Sequence, residues 1–304
     1  MSTSDLRLDA GGALSARSTV ATNGIELAYT EHGDGEPLLL LMGLGADSSA
    51  WESHVAAYQK RYRCIAVDNR GVGASSTPAG PYSTGQMADD HAGLLEALDL
   101  GPVRVVGISM GGAIAQELAL RHPELVERLV LVATWAKSDA FLKDAMDHYA
   151  RSRAALEPEE FVQLLQLWLW TPAYVNQHAS ELREARQLLG LWLWEQGYAK
   201  QHLAELLEAR AHQVGEDVGQ PQHAFEGQCQ ACSTHDTLDR LDAIRVPTLV
   251  TAGDQDTLIR LPLSEELHAA IPGAELHVFR GNGHVHHWEA LDEFNRITTE
   301  WLGR

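Results

Sequence analysis

Cysteine is scarce in this chain, with three in 304 residues, at Cys64, Cys229 and Cys232. So few, and an odd number, exclude a disulfide framework and point to a reducing compartment. Positive charge is scarce too. Lys and Arg total 23 against 42 Asp and Glu, a net charge of −19. No Lys/Arg cluster offsets that average, so nucleic acid and anionic membrane surfaces would be repelled. The longest apolar run, Pro37 to Ala46, is about half of the roughly 20 residues that a transmembrane helix needs. Met1 to Gly12 lacks the basic start and apolar middle of a signal peptide. Metal motifs are lacking apart from Cys229-x-x-Cys232, which has no second pair and sits in a helix-like stretch. Gly71-x-Gly73 lacks the third glycine and the following helix of a dinucleotide fingerprint. These absences describe an acidic, soluble, cytoplasmic protein with no metal, no cofactor, no nucleic-acid partner and no membrane partner.

What is present is an ordinary globular composition, 45% apolar and 21% charged. A chain of this length and composition can bury a large core. Residues 1–19 are rich in Ser, Ala, Gly and charge without a period, and are expected to form a flexible tail. After Gly24, short apolar runs alternate with helical patterns. Leu38–Met42, Cys64–Val67, Val103–Val106, Leu129–Ala133, Thr248–Ala252 and Leu276–Phe279 read as buried strands. Met87, His91, Leu94, Leu95 and Leu98 fall at helical spacing, and Gly101-Pro102 stops that helix. Strand–helix–strand repetition implies an α/β fold, a mostly parallel central sheet covered by helices on both faces.

One connection breaks the rhythm. The stretch from Ala133 to Thr248 exceeds a hundred positions, whereas such loops usually span about 2–6 residues. It reads as helical and is expected to be an inserted lobe over residues 136–244, with 20–135 and 245–304 forming the core domain. The lobe holds Leu164-Leu165-Gln166-Leu167-Trp168-Leu169-Trp170 and, later, the near-identical Leu188-Leu189-Gly190-Leu191-Trp192-Leu193-Trp194. Helices this apolar must be covered on more than one face. Lobe core, a homodimer contact and a substrate pocket walled by Trp168, Trp170, Trp192 and Trp194 are the candidate covers. Two copies do not make a repeat architecture.

The chemistry concentrates at Gly107-Ile108-Ser109-Met110-Gly111-Gly112, between the strand ending at Val106 and a helix through Leu120. A serine there sits on a sharp turn, with the helix N-terminus and its free N–H groups beside it. Alone, G-x-S-x-G is common, and a plain helix cap by Ser109 is the simple alternative. A serine hydroxyl needs a base, usually a histidine oriented by a carboxylate. After the strand Thr248–Ala252 comes Gly253-Asp254-Gln255-Asp256, which offers two acids. After Leu276–Phe279 comes Gly281-Asn282-Gly283-His284, with His286 and His287 nearby. For any one of the 15 histidines the default role is surface or packing.

Taken together, Ser109 in its turn, Gly253-x-x-Asp256, Gly283-His284 and Asp68-Asn69-Arg70-Gly71-Val72-Gly73-Ala74-Ser75 resemble the α/β-hydrolase superfamily over about residues 20 to 303. The resemblance implies Ser109 as nucleophile, Asp256 rather than Asp254 as acid, and His284 as base. It makes the inserted lobe a helical cap, or lid. Within the superfamily the chain looks most like the enol-lactonase and polyketide-esterase type. The resemblance also implies an oxyanion hole made by the backbone N–H groups of Met110 and Leu44. Met42-Gly43-Leu44 departs from the family's His-Gly pair by carrying methionine, yet the contact is a backbone one. Asp68 and Arg70 are expected to brace their own loop.

The expected activity is that of a serine esterase or lactonase acting on an apolar small molecule. Serine as nucleophile argues against dehalogenases and epoxide hydrolases of this fold, which attack with a carboxylate. Carbon–carbon hydrolases of vinylogous diketones tend to carry Asn before the nucleophile, where Ile108 stands here. That activity, and a non-catalytic binder on the same fold, are the alternatives.

Overall fold

The computed structural model describes residues 6–8, 14–182 and 220–304. The described strands are β1 (Leu6–Leu8), β2 (Leu14–Thr22), β3 (Ile25–His32), β4 (Glu36–Leu41), β5 (Tyr62–Val67), β6 (Val103–Ile108), β7 (Val126–Val132), β8 (Thr248–Gly253) and β9 (Glu275–Phe279). They form one sheet in the order β1-β2-β3-β5-β4-β6-β7-β8-β9. Pairing is antiparallel from β1 to β5 and parallel from β5 to β9. All six strands read from apolar runs are present, with no end displaced by more than three residues.

The reason β4 to β8 read as continuous apolar runs is burial on both faces. In β4, Leu39 and Leu41 join one core cluster while Leu38 and Leu40 join the other. In β7, Leu129 and Leu131 face the first cluster and Val130 and Val132 the second. Side chains alternate across a strand, so a strand with a helix layer on each side needs apolar residues at every position. Helices α1 (Glu52–Tyr58), α2 (Thr84–Ala97) and α3 (Met110–Arg121) supply part of these layers, with the helices Leu261–Ala270 and Leu291–Leu302 completing them.

The last residues of the stretch 1–19, expected as a tail, enter β2. Residues Arg17 to Thr22 pair in register with Thr30 to Ile25 of β3. β2 lies toward the sheet edge and leaves Ser18, Thr19 and Ala21 exposed. Its backbone groups gain ladder partners without needing an apolar face, so no alternation marks it in the sequence. Between β7 and β8 the described elements are the helices α4 (Ala140–Ala155), α5 (Pro158–Leu169) and α6 (Pro172–Gln177), and the helix Gln222–Thr234. Of the two apolar segments noted above, the first falls on α5 and its end. The second, with Trp192 and Trp194, lies outside the described residues. No described helix is long and apolar enough to cross a membrane.

Candidate active site

Ser109 sits where β6 ends and α3 begins, with φ 54° and ψ −117°. A non-glycine residue with positive φ is strained, and such strain is held only where the surroundings over-determine it. Here the Ser109 N–H donates to the Val132 carbonyl at 2.8 Å, and its own carbonyl accepts from Gly112 at 2.9 Å and Ala113 at 3.1 Å. Gly111 is required by contact rather than by dihedral. A Cβ there would lie 2.1 Å from the Leu41 carbonyl oxygen. Only glycine lets α3 begin this close to β4.

The candidate acid and the candidate base come from neighbouring strands. Asp256 follows β8, His284 follows β9, and the two loops press together. A Cβ on Gly253 would lie 2.2 Å from the Gly283 carbonyl oxygen. His284 Nδ1 faces Asp256 Oδ2 at 2.8 Å, and His284 Nε2 faces Ser109 Oγ at 3.1 Å. The second carboxylate oxygen, Asp256 Oδ1, accepts from the Leu258 N–H at 2.9 Å and the Ile259 N–H at 2.8 Å. Asp256 and His284 are 6% and 4% exposed, so water competes little for these contacts. The arrangement is a serine–histidine–aspartate line of hydrogen bonds, a geometry that lets an imidazole accept a hydroxyl proton.

Asp254, the rival acid, is elsewhere. Its Oδ1 accepts from the Gly281 N–H at 2.7 Å and its Oδ2 pairs with Arg280 at 3.4 Å. The Gly281 N–H holds its carboxyl below the usual range. It ties the β8 and β9 loops together. His286 packs behind β8 with Nε2 at 3.0 Å from Thr251 Oγ1, and burial pushes its pKa down to about 3. His287 borders the cavity above Ser109.

The Met42–Gly45 loop passes beside Ser109, with the Gly43 Cα so close that an added Cβ would lie 3.3 Å from Ser109 Cβ. Two buried amides hold this loop. Asn69 Nδ2 donates to the Met42 carbonyl at 2.9 Å. Gln228 Oε1 accepts from the Gly45 N–H at 2.9 Å, while its Nε2 donates to the Arg70 carbonyl at 2.9 Å. Leu44, between them, lines the cavity with Ser109. Asn69 belongs to the Asp68–Ser75 segment and was not singled out in the sequence. Gln228 lies on the inserted helix Gln222–Thr234, and no sequence signal marks it. Asp68 braces its own loop as expected, accepting from Ala74 at 2.9 Å, and also from Ser48 at 2.8 Å. Arg70 instead reaches out of its loop to Asp90 on α2, at 2.6 and 2.8 Å.

The cavity over Ser109 is walled mainly by apolar groups, among them Leu142, Met146, Tyr149, Leu165, Phe225 and Trp288. Neither Trp168 nor Trp170 is in that wall. On α5, Leu165 and Leu169 lie one turn apart and face the cavity, which turns Trp168 aside. Trp168 packs edge-on against Tyr149 at 6.2 Å, and Trp170 stacks on Trp288 at 5.9 Å. Each supports a ring that lines the cavity. Cys232 also reaches the wall, but burial pushes its thiol up to about 12, so it meets the cavity as a small apolar group. Among the described residues no three His, Cys, Asp or Glu side chains group to hold a metal ion.

The chain belongs to the alpha/beta hydrolase fold family, whose sequence model matches residues 36–291. It is 30% identical over 278 residues to a protein of Azorhizobium caulinodans named as a carbamate hydrolase, RutD, covering 91% of this chain and 95% of that one. The crystal structure of the enol-lactonase from Burkholderia xenovorans LB400 superposes with a TM-score of 0.79 at 25% identity, covering 94% of this chain and all of that one. A meta-cleavage product hydrolase from Pseudomonas fluorescens IP01 matches with a TM-score of 0.69 at 25% identity, over 94% of this chain and 97% of that one.

Proposed function

We propose that this α/β hydrolase is a serine hydrolase that cleaves a carboxylic ester or lactone of an apolar small molecule. The observation that carries this reading is the continuous line Asp256–His284–Ser109 opening into an apolar cavity. Ser109 Oγ attacks the substrate carbonyl as His284 Nε2 takes its proton. The oxyanion that forms is held by the Leu44 and Met110 backbone N–H groups, each such donor being worth about 3–4 kcal/mol of barrier. His284 then returns its proton to the leaving alcohol, and the acyl group stays on Ser109. Water, activated by the same histidine, frees the acid. Asp256 keeps Nδ1 protonated and stabilises the imidazolium, while its second oxygen stays tied to two N–H groups. In a lactone the leaving alcohol remains attached through the ring, so one product results.

Likeness to an enol-lactonase supports the ester or lactone class. Likeness to a meta-cleavage product hydrolase keeps carbon–carbon cleavage as the second reading, against which stands Ile108 before the nucleophile. A fluorophosphonate probe should label wild type at Ser109 and leave Ser109→Ala unlabelled. A panel of aryl esters, lactones and vinylogous diketones should show turnover of esters or lactones. Turnover of the diketones alone would transfer the assignment to the second reading. Labelling without turnover of any member would favour a binder.

A further inference from the structure

His287 follows the proposed base by three residues and is given no task by the mechanism. It is 1% exposed and lines the cavity together with Ser109 and His284. Behind it runs a buried chain of polar groups. Its Nδ1 lies 3.1 Å from His54 Nε2, and His54 Nδ1 lies 2.7 Å from Asn295 Oδ1. Asn295 uses its Nδ2 to donate to the Ser53 carbonyl at 3.5 Å, which leaves Oδ1 for His54.

The direction of every proton in this chain follows from its last member. Asn295 Oδ1 can only accept, so His54 Nδ1 must donate. Burial keeps His54 neutral, its pKa lowered to about 4, so its Nε2 carries a lone pair. That lone pair accepts from His287 Nδ1. His287 is also neutral, because burial lowers its pKa well below the ordinary value. Its remaining nitrogen, Nε2, therefore carries no proton. The two nitrogens of an imidazole point in widely different directions, so with Nδ1 turned to His54, Nε2 points away from it. No described residue hydrogen-bonds that nitrogen.

We propose that His287 is a substrate-recognition residue. Its Nε2 is fixed as a hydrogen-bond acceptor in the wall of an apolar cavity, so the favoured substrate carries an O–H or N–H donor near the scissile carbonyl. This rests on the serine-hydrolase reading of the same cavity. A site that fixes a buried acceptor discriminates strongly against an analogue lacking the donor, because binding that analogue leaves the acceptor unpaired. The relay makes this selective for donors. A rotatable hydroxyl could donate or accept, whereas His287 is locked by Asn295 into accepting alone. The cavity wall is otherwise mostly apolar, so the substrate is mainly apolar with one donor group.

The test compares aryl esters in pairs that differ by one donor: lactate against isobutyrate, β-hydroxybutyrate against isovalerate, N-acetylglycinate against levulinate. Wild type should prefer the donor-bearing member of at least one pair by roughly tenfold or more in kcat/KM. His287→Asn keeps a donor for His54 at the Nδ1 position and removes the cavity acceptor. It should abolish the preference, lowering kcat/KM for the donor-bearing ester roughly tenfold or more further than for its donor-free partner. His287→Gln places its carbonyl oxygen near the Nε2 position and should retain most of the preference. Absence of preference in every pair, or equal losses on both members in His287→Asn, overturns the proposal. Nitrogen-15 spectra of the histidines provide a readout independent of turnover. A pyridine-type signal at His287 Nε2 is expected, and a protonated Nε2 would overturn the acceptor assignment even if esters are cleaved. Loss of fluorophosphonate labelling and of all ester turnover in wild type would instead sink the serine-hydrolase reading.

Discussion

Replacing Asp256 by Asn should do more than remove a charge. In the native site Oδ1 accepts two backbone N–H groups and Oδ2 meets His284 Nδ1. An asparagine amide can place its NH2 on only one of these sides. Turning it toward Leu258 and Ile259 would set donors against donors and leave two buried N–H groups unsatisfied, at about 1–3 kcal/mol each. The amide oxygen therefore stays with Leu258 and Ile259, and the NH2 faces His284. The histidine must then accept at Nδ1 and carry its proton on Nε2. That proton points at Ser109 Oγ, 3.1 Å away, so the base cannot take the hydroxyl proton. A base held in the wrong tautomer costs roughly 10⁴-fold in kcat. Asp254→Asn removes only a partly exposed ion pair and keeps an oxygen for Gly281, so its loss should stay below about tenfold. The assay is kcat on an activated aryl ester, with thermal melts to confirm folding. An Asp256→Asn enzyme within tenfold of wild type, or a crippled Asp254→Asn enzyme, would refute the assignment of the acid.

Further expectations follow from the same geometry. Gln228→Leu leaves the Gly45 N–H and the Arg70 carbonyl without their buried partner, so stability should fall by about 1–3 kcal/mol and kcat by tenfold or more through displacement of the Leu44 N–H; an unchanged kcat would show that the loop does not need this strut. Ser109→Ala and His284→Ala should each lower kcat by roughly 10³-fold or more, and the double variant should be no worse than either, because the residues act as a unit; additive losses would contradict that. His54, His91, His235 and His286 are buried with pKa values lowered to about 4, 3, 3 and 3. Their folded pKa lies below the unfolded value, so the unfolded chain binds the extra protons and stability falls as pH drops below about 6.5, by up to about 1.4 kcal/mol per pH unit per histidine; denaturant melts from pH 7.5 to 4.5 that show no decline would refute the neutral state of these rings. Leu165→Ala enlarges the cavity and should lower KM for a branched acyl ester relative to acetate, whereas Trp168→Ala, one ring behind Tyr149, should lower the melting temperature and shift both esters alike. A selective effect of Trp168→Ala would mean that its ring reaches the substrate after all.

The sequence alone marks strands β4 to β9 and the residues of the proposed triad, because both leave local signs. Strands β4 to β8 are largely covered on both faces and so read as apolar runs, while β9, at the sheet edge, is mostly half-buried and shows itself through Leu276, Val278 and Phe279. Ser109 needs a glycine-flanked strand-to-helix turn, and Asp256 and His284 follow strand ends at spacings that resemble a known family. At the level of residues alone, Asp254 and Asp256 were equivalent. The family resemblance favours Asp256, and the fold supplies the physical reason: Asp256 faces His284, while Asp254 accepts from the Gly281 N–H. Strand β2 is illegible because, with Ser18, Thr19 and Ala21 exposed, it needs backbone partners on β1 and β3 rather than an apolar pattern. Trp168 and Trp170 share their helical segment with Leu165 and Leu169, and composition cannot say which face looks inward. Helix phase against Tyr149 and Trp288 decides it. Gln228 and the Asn295–His54–His287 chain lie farther still from anything a sequence can show. Their hydrogen-bonded partners stand 158 to 241 positions apart, and the proton directions that give them meaning exist only once those positions are buried together.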